Sequence, residues 1–218
     1  MSSSRKVPDS TVRRLSLYLR VLTEMRGRDE ATISSERLAE ECGLTSAQVR
    51  KDLSLFGNFG VRGRGYAVQA LESAVREILG LDRTWAAVVV GAGRLGSALT
   101  AYPDFVQHGF EILALFDSDS SKHGLRFGNA VVRPMEELAS FAREQHVSIG
   151  IVATPASAAQ EAATRLIEAG VRGILNFAPT RLEVPATVSL RDVNLAVELE
   201  GLSYEIAAGE PSDNGGRR

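Results

Sequence analysis

Residues 85–96, WAAVVVGAGRLG, constrain this chain more than any other stretch. An apolar run, Ala86-Ala87-Val88-Val89-Val90, leads into Gly91-Ala92-Gly93-Arg94-Leu95-Gly96, a G-x-G-x-x-G pattern. A run without polar alternation suits a strand covered on both faces of a parallel sheet. Each glycine then has a steric reason. The first permits the tight turn, the second lets the backbone approach a pyrophosphate, and the third lets helix and strand pack closely. The helix N-terminus offers free N–H groups and a partial positive charge to the anion. Gly91, Ala92, Gly93, Arg94, Leu95 and Gly96 are therefore candidate cofactor-binding residues. The next apolar run, EILALF, ends in Asp117, 21 residues after Gly96. A carboxylate there accepts hydrogen bonds from both hydroxyls of an adenosine ribose and repels a 2′-phosphate. Ser118 follows rather than an arginine, so NAD(H) is expected over NADP(H). A similar fold holding another nucleotide, or none, stays open.

Apolar runs at 111–116, 148–153 and 173–177 alternate with helical segments near 94–101, 135–144 and 156–169. That alternation predicts an α/β fold of the Rossmann type, a doubly wound parallel sheet. Two loops fall at carboxyl ends of strands, where such sheets bind ligands. They nominate Thr154 and Pro155 in one, Asn176 and Phe177 in the other, although each also reads as a plain strand exit.

The first 83 residues have a different pattern. Val12, Leu15, Leu19 and Leu22 form a helical stripe. Ser34 and Ser35 open a second helix, and Thr45 is the N-cap of a third that runs to about Phe56. Within SERLAEECGLTSAQVRKDLS, Ala39, Gly43 and Val49 occupy the small, turn and locking positions of a helix-turn-helix, with Leu38, Leu44 and Leu53 as core. Thr45, Ser46, Gln48, Arg50 and Lys51 then lie where side chains reach base edges and phosphates. The next stretch, GNFGVRGRGYAV, predicts two short strands, Phe59–Val61 and Tyr66–Val68, a wing with Arg62, Gly63 and Arg64 at its tip. A three-helix core with an incidental basic loop is the plainer alternative. A closing helix is expected at 70–80.

Charge follows the same division. Residues 1–83 carry 14 Lys and Arg against 11 Asp and Glu, and residues 84–218 carry 11 against 16. A basic half suits nucleic acid, though scattered surface charge reads equally well. No apolar run approaches the roughly 20 residues of a membrane span, and MSSSRKVPDS lacks the apolar core of a signal peptide. The single cysteine, Cys42, leaves no internal disulfide and no multi-cysteine metal site, so a cytoplasmic protein is expected. His108, His123 and His146 are placed in loops or helix ends away from the cofactor. With no nucleophile–base pair and no metal cluster, no catalytic residue is nominated and the chain is not expected to be an enzyme. Leu195, Leu199, Leu202 and Ile206 suit a docking helix, while Val193, Leu195, Val197 and Leu199 alternate like a strand.

With these motifs in place, the sequence resembles the Rex family of redox-sensing transcriptional repressors. The resemblance spans about residues 7–206 and is carried by QVRKDLSLFGNFGVRGRGY, GAGRLGSAL, GVRGILNFAPTRLEVP and VNLAVELEGLSY. The residue patterns place a winged helix-turn-helix at 1–83, a Rossmann NAD(H)-binding domain at 84–190 and a polar, Gly-rich, flexible tail at 207–218, and the resemblance implies a domain-swapped dimerisation helix at 191–206. It implies a homodimer that binds palindromic operator DNA and is released by NADH. Gly91–Gly96 match the family's phosphate loop and Asp117 its ribose acid. Tyr102 matches a tyrosine near the nicotinamide, and Arg20 an arginine at the end of the first helix. The family's V-D-L motif is Val193-Asn194-Leu195 here, so the usual aspartate has lost its charge, and Asp192 is the candidate replacement. Leu55, Asn58 and Arg64 also depart from the family pattern. Two other readings remain: an NAD-dependent oxidoreductase fused to a DNA-binding domain, and a repressor whose nucleotide site is structural.

Overall fold

The computed structural model describes residues 7–61 and 64–209. The chain divides between Arg83 and Thr84 into two compact units.

In the first unit, helix α1 (Asp9–Gly27) precedes strand β1 (Thr32–Ile33), helices α2 (Ser35–Glu41) and α3 (Ser46–Ser54), strands β2 (Gly60–Val61) and β3 (Gly65–Ala67), and helix α4 (Val68–Ile78). Ser34 caps α2 by accepting the Arg37 N–H, and Thr45 caps α3 by accepting the Gln48 N–H. Between them the backbone turns at Gly43, with φ +65°. The Gly43 N–H reaches Glu40 O and the Leu44 N–H reaches Ala39 O, a Schellman closure that only a glycine makes without a Cβ penalty. Leu38, Ala39, Val49 and Leu53 are buried with Leu15, Leu19 and Leu22 of α1. The α1 stripe is shifted from the expected one: Val12 is exposed, and Tyr18 and Met25 are buried. Three strands, ordered β1-β3-β2, form the wing. The second wing strand ends at Ala67, because Val68 opens α4 and is itself buried core. Cys42 is partly buried against this core, and burial pushes its thiol pKa up, which fits packing rather than reactivity.

The second unit is a seven-stranded sheet. Its elements are β4 (Trp85–Val90), α5 (Arg94–Thr100), α6 (Asp104–Gln107), β5 (Phe110–Asp117), β6 (Arg126–Phe127), β7 (Ala130–Pro134), α7 (Leu138–Glu144), β8 (Ile149–Val152), α8 (Ala156–Glu168), β9 (Gly173–Asn176), β10 (Ser189–Asp192) and α9 (Leu195–Gly209). The order is β10-β9-β8-β4-β5-β7-β6, with every pairing parallel except β6 on β7. The direction of winding reverses between β4 and β8, which makes their carboxyl ends the switch point where such sheets hold ligands. Val88, Val90, Phe116 and Val152 pack with Leu138, Ala142, Ala159 and Leu166 of α7 and α8 on one face. Val89, Leu115 and Ile151 pack with Leu99 of α5 on the other.

The doubly wound parallel sheet is as expected, with one short antiparallel edge strand, β6, returned against β7 by a tight turn. Two expectations are corrected here. Residues 191 and 192 belong to strand β10 rather than to the terminal helix, held by parallel pairing of Ser189–Asp192 with Gly173–Asn176. The alternation at Val193–Leu199 is not a strand: α9 begins at Leu195 and continues to Gly209, through the start of the expected tail. Residues 210–218 lie outside the described residues.

Candidate functional site

At the switch point, the loop after β4 and the loop after β8 frame a cavity of about 480 Å³. Its lining includes Gly91, Gly93, Asp117, Ser118, Thr154 and Pro155. The loop is set by sterics. A Cβ on Gly96 would lie 1.9 Å from Gly91 O, so α5 approaches β4 only because residue 96 is glycine. A Cβ on Gly93 would meet no protein atom within 4 Å, which leaves the backbone open toward the cavity. Arg94 and Leu95 are exposed beyond it.

Asp117 is buried at the end of β5 and organises the site. Its Oδ2 accepts the Ala92 N–H at 2.8 Å and its Oδ1 accepts the Asp119 N–H at 2.8 Å. Burial alone would raise its pKa. The Asp119 N–H, the Lys122 ammonium and the Ala92 N–H outweigh that and hold it below the usual carboxylate range. Lys122 Nζ is 3.0 Å from Oδ2 and lines the same cavity. The sequence reading missed it. Asp119 accepts the Ser121 N–H and turns the chain so that Lys122 returns to the strand end. His123 Nε2 lies 2.9 Å from Asp117 O, so this histidine sits at the carboxyl end of β5, contrary to expectation, although it does not line the cavity. Thr154 Oγ1 is buried without a hydrogen-bond partner, although it lines the cavity. A buried hydroxyl left unsatisfied is costly, and a ligand's polar group would satisfy it. The set of groups fits a dinucleotide: open glycine backbone, a helix N-terminus, a buried strand-end carboxylate and an orphan hydroxyl.

Other candidates are not gathered here. Asn176 is buried and turned away from the cavity. Its Nδ2 donates to Thr180 O at 2.9 Å and Asp192 Oδ1 at 2.8 Å, and its Oδ1 accepts the Ala178 N–H. Asn176 therefore braces its own loop against β10. Phe177 packs with the Val89–Leu115 cluster. Tyr102 is half-exposed, donates to Asp104 Oδ2 at 3.0 Å, and lines a separate apolar groove with Phe105, Phe110, Ile112 and Leu175. Asp192 engages Asn176 rather than Tyr102. Asn194 caps the terminal helix by accepting the Ala196 N–H. Arg20 is exposed in mid-α1, seven residues before that helix ends at Gly27, not at its end. Leu195 is exposed at the start of α9.

In the first unit, Ala47, Arg50, Lys51 and Ser54 form the exposed face of α3. A cleft between α3, the start of α2 and the wing is lined by Ser34, Arg50, Ser54, Asn58 and Arg64. Arg50 Nη1 contacts Ser35 Oγ at 2.9 Å and Glu36 Oε1 at 3.1 Å, so it is held over α2. Thr45 is engaged in capping, Ser46 is half-buried beside it, and Gln48 turns toward Asp52. Arg64 is exposed in the wing, and Arg62 and Gly63 lie outside the described residues. The sequence reading also missed Asp52, a buried carboxylate bound by Arg14 and Tyr18 of α1. Arg14 and Tyr18 stand four apart on one helix face, and that spacing was the available signal.

Comparisons with known proteins agree on one family. Residues 6–54 match the family model described as "Putative DNA-binding protein N-terminus", and residues 82–180 match "CoA binding domain". The chain is 51% identical to the redox-sensing transcriptional repressor Rex of Carboxydothermus hydrogenoformans, covering 92% of this chain and 97% of that one. It is 46% identical to the Rex of Streptomyces coelicolor, covering 92% and 78%. Among solved structures it is similar to RSP in complex with β-NAD+ and operator DNA, at 38% identity, TM-score 0.88 and 93% of each chain. It is also similar to RSP in complex with β-NADH, at 36% identity, TM-score 0.84, and 94% and 96% coverage. A chain with this winged helix, this switch-point pocket and these relatives belongs to the Rex family of redox-sensing transcriptional repressors.

Proposed function

We propose that this chain is a repressor whose hold on operator DNA is governed by NADH, with residues 1–83 reading the duplex and residues 84–190 holding the dinucleotide. One observation carries the reading: Asp117, the open Gly91–Gly96 loop and the orphan Thr154 hydroxyl meet in one cavity, on a chain that also carries a basic-faced helix-turn-helix. NAD(H) supplies a nicotinamide that is neutral when reduced and positive when oxidised. A desolvating pocket disfavours the charged form, so the two can be told apart by burial alone. NAD and coenzyme A share an adenosine diphosphate. Coenzyme A carries a 3′-phosphate on its ribose, which would meet the Asp117 carboxylate, so NAD(H) fits better. Gly91–Gly96 take the pyrophosphate, Asp117 and Ser118 the adenosine ribose, and Thr154 and Pro155 the nicotinamide side. Lys51, Arg50, Arg64 and the wing tip grip the duplex.

A homodimer accounts for the terminal helix. Leu195, Leu199, Leu202, Tyr204 and Ile206 of α9 are all exposed within the chain, which is more apolar surface than a lone helix leaves to water. The Tyr102–Phe105–Leu175 groove is apolar in the same way. A helix swapped between subunits covers such surface and links the dinucleotide domains to the reading heads. Two heads on one palindrome must stand about one DNA turn, or a multiple, apart. A ligand moves that spacing only through its difference in affinity for the two dimer shapes. Shifting the population from about nine-tenths bound to nine-tenths released takes roughly a hundredfold change in affinity, about 2.7 kcal/mol per dimer, shared by two sites. Among the described residues no helix is long and apolar enough to cross a membrane, and a cytoplasmic location is part of this proposal.

The test is an operator mobility shift on the full chain, titrated with NADH at several fixed NAD+ levels and constant salt. Release by NADH, opposed by NAD+, supports the reading. Operator binding indifferent to NADH would favour a structural nucleotide site, and sustained NADH consumption with small carbonyl compounds would favour an oxidoreductase.

A further inference from the structure

We propose that Lys122 is a cofactor-binding residue whose ammonium donates a hydrogen bond to one hydroxyl of the adenosine ribose at Asp117. This rests on the NAD(H) reading and deepens it by adding a second ribose-binding side chain to that site.

Asp117 is buried and most of its accepting capacity is already used. A carboxylate has about four acceptor positions, two on each oxygen. Oδ1 accepts the Asp119 N–H at 2.8 Å. Oδ2 accepts the Ala92 N–H at 2.8 Å and the Lys122 ammonium at 3.0 Å. That leaves one position, on Oδ1, whereas the neighbouring hydroxyls of a ribose bring two O–H donors. The Ala92 and Asp119 donors are backbone groups, fixed by the phosphate loop and by the turn after β5. Lys122 is the occupant that can give way, because its side chain is 34% exposed and carries its charge on a flexible stem.

An ammonium has three N–H donors and accepts nothing. Among the described residues Lys122 spends one on Asp117, and Asp119 Oδ2, at 3.7 Å, is an ion-pair partner beyond hydrogen-bond reach. The hydrogen bond to Asp117 holds the Lys122 pKa above its ordinary value, so the charge persists at neutral pH. A hydroxyl accepts as well as donates. Lys122 can therefore yield its position on Oδ2 to one hydroxyl and donate to that hydroxyl's oxygen, which keeps the cation beside Asp117. Withdrawal of Lys122 into water would instead strip a buried carboxylate of its cation. Lys122 lines the cavity together with Asp117, Ser118 and Asp119, so the exchange needs only a turn of its side chain.

The test is fluorescence titration of the full chain with NADH and with two analogues, one lacking the 2′-hydroxyl and one the 3′-hydroxyl of the adenosine ribose. Lys122→Met keeps the unbranched stem and removes the donor. It should weaken NADH by roughly three- to thirtyfold, below the full worth of a charged hydrogen bond because Asp117 regains an acceptor position. The same loss should appear with one analogue and shrink to under about twofold with the other, which lacks the hydroxyl that Lys122 holds. Unchanged or tighter NADH binding would mean that Lys122 only competes for Asp117. An equal loss with all three ligands would put the ammonium on a phosphate, and a loss that shrinks equally with both analogues would reduce Lys122 to holding Asp117 in place. Each of these overturns the proposal. Should Lys122→Met fail to fold, NMR of the wild type labelled with ε-13C lysine decides. The Lys122 signal, assigned by elimination because Lys6 and Lys51 are the only other lysines, should move with NADH and one analogue but not with the other. Moved alike by all three, or by none, it overturns the proposal. A wild type that binds neither NADH nor NAD+ would instead remove the NAD(H) reading itself.

Discussion

Replacing Asp117 with alanine separates what the pocket does for the adenosine half of the cofactor from what it does for the nicotinamide. The carboxylate provides two acceptor oxygens at the end of β5, already holding the Ala92 N–H and Lys122. A hydrogen bond to a charged group contributes about 1.5–3 kcal/mol. Two ribose hydroxyls would give about 3–6 kcal/mol, and Lys122 must yield part of its contact, so about 2–4 kcal/mol is a fair net loss. At 1.4 kcal/mol per tenfold, affinity should fall roughly 30- to 1,000-fold. The adenosine is the same in both redox forms, so NADH and NAD+ should weaken alike and their ratio should hold. The Ala92 N–H also loses its acceptor in a buried loop, at a cost of about 1–3 kcal/mol in stability. Isothermal titration of the full chain with each form, paired with urea denaturation, measures both effects. Unchanged affinity, or a loss confined to NADH, would refute the placement of the ribose at Asp117.

Four further outcomes are expected. Asp52 and Asp117 both have native pKa values below their usual one, so they stabilise the fold above the unfolded value of about 3.9, and that contribution is lost as pH falls through the native values; urea midpoints should drop from pH 5 to pH 3, and a flat profile would contradict this. Gly96→Ala should abolish NADH binding in fluorescence titration, because its Cβ cannot coexist with Gly91 O at 1.9 Å. Lys51→Ala should weaken all duplexes alike and reduce the salt slope of binding by about one per protomer. Leu202→Glu should raise the dimer dissociation constant at least about thirtyfold in sedimentation, as expected for a buried anchor.

Legibility in the sequence followed how strongly sterics restrict residue type. The Gly91–Gly96 loop was legible because only glycine tolerates a Cβ-sized gap closed to 1.9 Å. The Ser34 and Thr45 caps and the Gly43 turn were legible for the same local reason. Lys122 was not, because its place depends on the turn made by Asp119, not on spacing from the strand. Strand β10 was hidden because an edge strand reading Ser189–Asp192 has almost no apolar alternation and is held by backbone pairing. Asn176, nominated as a ligand contact, turns its side chain into its own loop, a direction that strand-end position does not reveal. Both of its amide donors and one acceptor position are spent on Thr180, Asp192 and Ala178. The Asp52 cluster joins positions 38 and 34 residues apart in sequence, beyond any local pattern.

The central claim is that reduced nicotinamide lowers the hold of the paired winged helices on their duplex. Anisotropy of a labelled operator with the full chain, at fixed salt, compares saturating NADH with saturating NAD+. The account predicts that operator affinity falls by about a hundredfold with NADH, near the upper end of typical coupling between two sites. Equal affinity in the two redox states, with binding of both dinucleotides verified, would contradict it.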